Sequence, residues 1–275
     1  MRKNFTSAIL VAALVFTASL ASAGTIVTQW QYVNDAYFDN WTDQVGRDKD
    51  SGSTIVASPD FRTLTWGAPG PRTLNNQPSS LVINAPVSGA DLLTSYDMVV
   101  GNIVDVVSIT HSNNFITNTT YNLATGRVLA SVGFTPDMPA GPAQPIEYSY
   151  LEFLFFETPN SDGQGNIIDM DDIFILTASS MTSGWFYYDE YRYDFQFTST
   201  GLGLIEGEYD TYLDTLFGSD GVYYGWLTEE GNATTAQFKL SISATPAPVP
   251  EPGTMMLLGM GLLALGGVAR MHKKN

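Results

Sequence analysis

Between residues 25 and 243 apolar and polar residues alternate in short segments, interrupted by clusters of Gly, Pro, Asn and Asp. A period of two over short runs is the signature of half-buried strands. The pattern predicts strands near Thr25–Val33, Thr54–Ala57, Phe61–Trp66, Ser80–Asn84, Val99–Thr110, Arg127–Phe134, Glu147–Glu157, Ile173–Thr177, Trp185–Thr198, Val222–Leu227 and Thr235–Ser243. Turn clusters fall between them, such as Gly67 to Pro71, Pro136 to Pro145 and Pro159 to Gly165. Helical spacing is nowhere sustained, and Tyr209–Phe217 fits either a helical turn or a strand. This reads as an all-β chain with a single β-sandwich or jelly-roll-like domain over residues 24–244. Two strands report on what they face. In Glu147–Glu157 both faces carry large apolar groups, which predicts a central strand. In Trp185–Thr198 the residues Tyr191, Tyr193, Phe195 and Phe197 share one face opposite Arg192, Asp194 and Gln196. Such an aromatic face packs a core or stacks on sugars, and core packing is the commoner use.

The two ends depart from this alternation. Arg2 and Lys3 precede an apolar run from Ala8 to Leu20 and a small-x-small site, Ala21-Ser22-Ala23. That order is a secretory signal peptide over residues 1–23, with cleavage expected between Ala23 and Gly24 by signal peptidase. At the other end, Thr245 to Val249 has proline at alternate positions and predicts an extended spacer. Pro250-Glu251-Pro252 follows, then an uncharged stretch, Thr254 to Ala269, then Arg270, His272, Lys273 and Lys274. As a helix the uncharged stretch, 254–269, is roughly 25 Å long and is expected to span the inner membrane during transit. The trailing cations keep the terminus in the cytoplasm and the rest of the chain outside.

The motif, the apolar segment and the basic end, in that order over Val249 to Asn275, resemble the PEP-CTERM protein-sorting signal. The resemblance implies recognition of Pro250, Glu251 and Pro252 by an exosortase. This is an inner-membrane, cysteine transpeptidase-like enzyme that removes the tail in Gram-negative bacteria that make exopolysaccharide. It also implies secretion through the inner membrane to the cell surface or the extracellular matrix.

Composition narrows the remainder. Gly24–Val249 holds seven basic against 27 acidic residues, a net charge of −20. Such a surface repels nucleic acid, which is excluded as a partner, and suits divalent cations or solubility in a matrix. There is no cysteine, so neither a disulfide nor thiol catalysis is available. No Gly-x-Ser-x-Gly, His-Glu-x-x-His, P-loop or dinucleotide fingerprint occurs. A two-carboxylate glycosidase leaves no such sequence mark.

The strand ending at Thr110 runs into Thr110-His111-Ser112-Asn113. This Thr-His-x-Asn resembles the THxN family of PEP-CTERM proteins. Phe61 to Gly67, Phe156 to Asn160, Asp172-Ile173-Phe174 and Tyr224 to Glu229 fit the same family in order. The resemblance implies no catalytic activity. Val107, Ile109 and His111 share a strand face, which points the imidazole inward. Two roles fit: a strand-to-turn lock, in which His111 bonds a carbonyl and Thr110 or Asn113 caps amides, or a ligand or catalytic His. The lock is the commoner use of a buried polar group. A single histidine in the mature domain rules out a His-rich zinc site within one chain. A second constellation, Asp162, Asn166, Asp169, Asp171 and Asp172 on a Gly-rich loop, supplies oxygen ligands of the kind calcium takes, without the spacing of an EF-hand. A solvated acidic hairpin loop is the plainer reading. The expectation is therefore a non-catalytic surface or matrix protein, processed by exosortase and associated with exopolysaccharide. A carbohydrate-binding module, or a glycan-cleaving enzyme, is the alternative.

Overall fold

The structure is a computed structural model and describes residues 24–69, 77–117, 121–158, 170–179 and 183–247. The signal peptide, the sorting motif with its apolar segment, and Asp162, Asn166 and Asp169 of the calcium constellation lie outside the described residues. Among the described residues no helix is long and apolar enough to cross a membrane.

The chain is built mostly of strands, with one short helix. In order they are β1 (Gln29–Asp43), β2 (Val56–Ala57), β3 (Thr63–Trp66), β4 (Ala68–Pro69), β5 (Ser79–Asn84), β6 (Val87–Ser95), β7 (Val104–Ser112), β8 (Ile116–Thr117), β9 (Leu123–Met138), β10 (Glu147–Phe156), β11 (Asp172–Ser179), β12 (Ser183–Tyr188), β13 (Tyr191–Thr200), β14 (Gly203–Leu204), α1 (Glu208–Phe217), β15 (Tyr224–Thr228) and β16 (Ala233–Pro246). Hydrogen bonding links the main sheet in the order β14-β15-β11-β10-β9-β1-β6-β16-β7-β5-β3-β2, with β13 also on β16. Along this order the pairs are antiparallel, apart from a short parallel contact between β6 and β16.

The chain divides into two units. The described part of the smaller one is 24–26, 187–192 and 245–247. Within it, the Gly24 and Thr25 amides donate to the carboxylates of Glu190 (2.7 Å) and Asp189 (2.9 Å), and the Ala247 amide donates to the Glu190 carbonyl. Asp189 and Glu190 have positive φ, the geometry of a two-residue hairpin turn, so the stretch predicted as one strand is the pair β12 and β13.

The larger unit is Val27–Phe186 with Tyr193–Ala244. Its halves meet face to face: Trp66 of β3 and His111 of β7 touch Phe155 of β10, and His111 touches Phe174 of β11. A second aromatic knot joins Trp30 of β1 to Phe134, Phe186 and Tyr193.

Strand β10 lies between β9 and β11, the central place that its two-sided apolar pattern predicts. Leu151, Phe153 and Phe155 face the core, while Leu154 and Phe156 lie on the opposite side. That opposite side is covered by α1, whose Leu213 packs with Ile173 and Ile175 of β11. Tyr209–Phe217 is therefore helical, ended by Gly218 at φ 68°, whose amide closes on the Asp214 carbonyl.

Two elements escape the alternation rule. β1 continues ten residues past Val33 because Asn34, Ala36, Phe38 and Trp41 keep turning inward through a bulge. β6 is held mainly by pairing with β1, since its Gly89 and Asp91 have low strand preference.

Candidate functional site

Counting by twos along four strands places a polar residue at the inward position where each apolar row ends. On β7, Ile109 is followed by His111; after β10, Phe153 and Phe155 lead to Glu157; on β11, Asp172 precedes Phe174; beyond β15, Trp226 and Thr228 lead to Glu230. Pairing of β10 with β11 and of β11 with β15, where Asp172 faces Thr228, gathers three of these ends. The face-to-face packing brings β7 against them. His111, Asp172, Asn113 and Thr228 are all buried, and Glu230 keeps 9% of its surface in solvent.

Aromatic rings wall the cluster. Trp66 stacks on His111 (5.7 Å between centroids, 5° between planes), Phe174 and Phe155 meet the imidazole edge-on, and Trp226 stacks on Phe174 (4.3 Å, 3°). Donors fix the outer polar atoms. The Trp66 indole N–H donates to Glu157 Oε2 (3.3 Å), the Thr158 amide to Asp172 Oδ1 (3.0 Å), and the Asn113 side-chain amide to the Thr228 carbonyl (3.0 Å). Asn113 is also tied through its own backbone, its amide to the Asn232 carbonyl and its carbonyl to the Gly231 amide.

The inner atoms are different. Both nitrogens of His111, Asp172 Oδ2 and Glu157 Oε1 have no hydrogen-bond partner among the described residues. His111 Nε2 lies 3.8 Å from Asp172 Oδ2. Burial pushes the imidazole down to about 3, so it is neutral at neutral pH. Burial, aided by the neighbouring Glu230, pushes Glu157 up to about 8. Burial and the Glu157 charge raise Asp172 well above the usual carboxylate range. With the imidazole neutral, the His111–Asp172 approach is not an ion pair at neutral pH.

The structure sorts the residues predicted from sequence. His111 points inward as its parity requires, and among the described residues it bonds no carbonyl; the ties at this strand end are made by Asn113. Thr110 faces the other side of β7, its hydroxyl 2.9 Å from that of Thr235. Of the calcium constellation, Asp172 belongs to the buried cluster, while Asp171 is half-buried, its amide donating to the Tyr209 hydroxyl (3.1 Å). Sequence reasoning did not single out Trp66, Glu157, Trp226 and Glu230 as one site. The signal that finds them is a carboxylate or indole at inward parity in an otherwise apolar row.

Residues 248–271 match the PEP-CTERM protein-sorting motif. This chain carries a PEP-CTERM sorting signal. It is thus an exported protein addressed to the cell surface, with exosortase as its processing partner. No curated protein matches it. In this PEP-CTERM protein the buried cluster draws Trp66, His111, Asn113, Glu157, Asp172, Trp226 and Thr228 from short segments scattered along the chain.

Proposed function

We propose that the β domain is a non-catalytic, THxN-type surface or matrix protein, delivered by exosortase processing and associated with exopolysaccharide. What supports this is the burial of its main titratable cluster. A catalytic group has to touch its substrate, and His111 and Asp172 have no solvent-exposed surface. Strong negative charge over the exported chain suits a hydrated anionic or cation-bridged matrix.

The sorting half is tested by replacing Pro250, Glu251 and Pro252 together with Ala. The expected result on immunoblots of cell fractions is full-length protein held in the inner membrane, with the surface form lost. Unchanged release of the shortened form would overturn it. The non-catalytic half is tested by incubating the protein with polysaccharide from its own matrix. No new reducing ends should appear; an increase abolished by Asp172→Asn would make the protein an enzyme.

One observation favours carbohydrate binding as a second reading. Tyr148 and Trp185 are large aromatics left 68% and 53% exposed, and Tyr148 borders a small cavity with Ser183, Gly184, Phe195 and Phe197. Flat exposed rings are the usual platform for sugars. On this reading Tyr148→Ala lowers affinity for a bound glycan by about tenfold, or 1.4 kcal/mol, on a glycan array without changing the melting temperature. An array with no binding removes it.

A further inference from the structure

We propose that the turn between β6 and β7 is a membrane-contact site, whose apolar tip, Met98, Val99 and Val100, inserts into a zwitterionic lipid surface while the sorting tail is still attached. This contact is separate from the matrix role. It rests on the sequence reading that the uncharged stretch 254–269 lies in the inner membrane until exosortase acts.

The first support is what the turn exposes. Met98 keeps 97% of its surface in solvent and Val100 89%, and Val99 and Ile103 are exposed beside them. Three consecutive exposed apolar residues are out of place on a surface turn unless they bind something. The turn is well ordered. The Tyr96 and Val99 amides each donate to the other's carbonyl (3.1 and 2.7 Å), and Asp97 takes φ 47° at the bend. Behind it, the Gly101 amide donates to Ser95 Oγ (2.9 Å). The Asn102 side chain accepts from the Leu93 amide (2.7 Å) and donates to the Asp91 carbonyl (2.6 Å). A Cβ at Gly101 would collide with the Leu93 carbonyl oxygen, so the returning chain lies tight against β6. Polar contacts thus fix the backbone and leave the apolar side chains in solvent. A tip ordered in advance loses little conformational freedom on insertion.

The second support is where the turn sits. β6 and β16 are parallel where they meet, with Thr94 beside Ile242 and Ser95 beside Ser243. Both strands therefore leave the sheet at the same end. From β6 the chain enters the apolar turn, and from β16 it continues past Ala244 toward the tail. Nine residues, 245–253, separate Ala244 from the uncharged stretch, a reach of at most about 30 Å. A tail held in the membrane keeps this end of the sheet near the lipid surface. Tethering raises the effective concentration of lipid at the tip, so a contact too weak to hold alone becomes populated.

Charge selects the lipid. Asp97 sits in the turn itself and the exported chain is strongly acidic, so an anionic surface repels the tip and a zwitterionic one does not. A single weak membrane contact is reversible. Removal of the tail would leave only the tip contact and let the domain depart.

The chain has no cysteine, so single-cysteine variants each report one position. Full-length Met98→Cys and Val100→Cys, labelled with an environment-sensitive fluorophore, are reconstituted in phosphatidylcholine vesicles. Val56→Cys is the control. Val56 is exposed, and the register Val56–Thr65–Ser80–Ser112–Ala233 sets it level with the start of β16, away from Ser243. The expected result is a blue shift at both tip positions, quenched by nitroxides on the lipid chains, and neither effect at Val56. Adding Met98→Asp to the Val100→Cys protein should reverse the shift. A tip label that stays in water while the protein floats with the vesicles overturns the tip contact alone. Protein that does not float overturns the tail reading, and the tip contact with it. A blue shift without quenching means that protein, such as a second copy of this chain, covers the tip. Equal quenching at Val56 means that the domain adheres without a preferred end. Either result overturns the proposal.

Discussion

The domain should lose stability steadily as pH rises from about 5 to 8. The sign follows from the buried carboxyls. Glu157 titrates near 4.5 when unfolded and at about 8 when folded. Below 4.5 both states hold the proton and there is no penalty. As pH rises from 4.5 to 8 the unfolded chain releases the proton and the folded chain keeps it, so the unfolded state gains. Asp172 acts in the same direction. At about 1.4 kcal/mol for each tenfold change in proton affinity, Glu157 alone accounts for several kcal/mol, a large share of an ordinary domain's stability. His111 acts oppositely: neutral when folded down to about 3 but charged when unfolded below 6.5, it costs stability as pH falls through that window. The measurement is urea denaturation from pH 4 to 9. Glu157→Gln should remove much of the decline above pH 5 and leave the acid side unchanged. A flat wild-type profile between pH 5 and 8 would show that these carboxyls are not buried as described.

Replacing Phe174 with Ala should cost about 3–5 kcal/mol and lower the melting temperature by about 10 °C or more. Phe174 is fully buried and contacts His111, Phe153, Phe155 and Trp226. It is the ring around which the β10, β11 and β15 sides of the cluster are packed. Its loss leaves a cavity beside the imidazole that surrounding strands cannot close, since Trp66 and Trp226 are themselves stacked. Water entering there would move His111 back toward its ordinary titration, so the acid-side slope should shrink in the same variant. Tyr148→Ala, at an exposed ring, provides the contrast and should change stability by no more than about 0.5 kcal/mol. Equal melting temperatures for wild type and Phe174→Ala would mean that the aromatic wall does not hold the site. A nearby backbone contact offers a milder check on the same sheet: a Cβ at Gly225 would collide with the Phe174 carbonyl oxygen, so strands β11 and β15 depend on glycine there.

Much of this was legible before any coordinates. Export and sorting are carried by local patterns at the ends, where hydrophobic length and flanking charge act without a fold, and the 248–271 match agrees with that reading. Strand content was legible because a period of two is imposed by the pleat. The inward aim of His111 followed from the same parity. The limits are as instructive. β6 was invisible because its strand state comes from pairing with β1, and pairing partners are not neighbours in sequence. The hairpin at Asp189–Glu190 was hidden because it sits inside the aromatic run Trp185 to Phe197, which has no glycine or proline to mark a turn.

What the sequence by itself determined is therefore the address of the protein, its all-β class and the facing of individual side chains, since each depends on interactions within a few residues. What only the tertiary structure decided is that Trp66, His111, Glu157, Asp172 and Glu230, spread across more than half of the exported chain, share one buried pocket. The shifted proton affinities of His111, Glu157 and Asp172, and the unpartnered nitrogens and oxygens of these three, exist only there, because desolvation is a property of the surrounding fold and not of any residue in the chain.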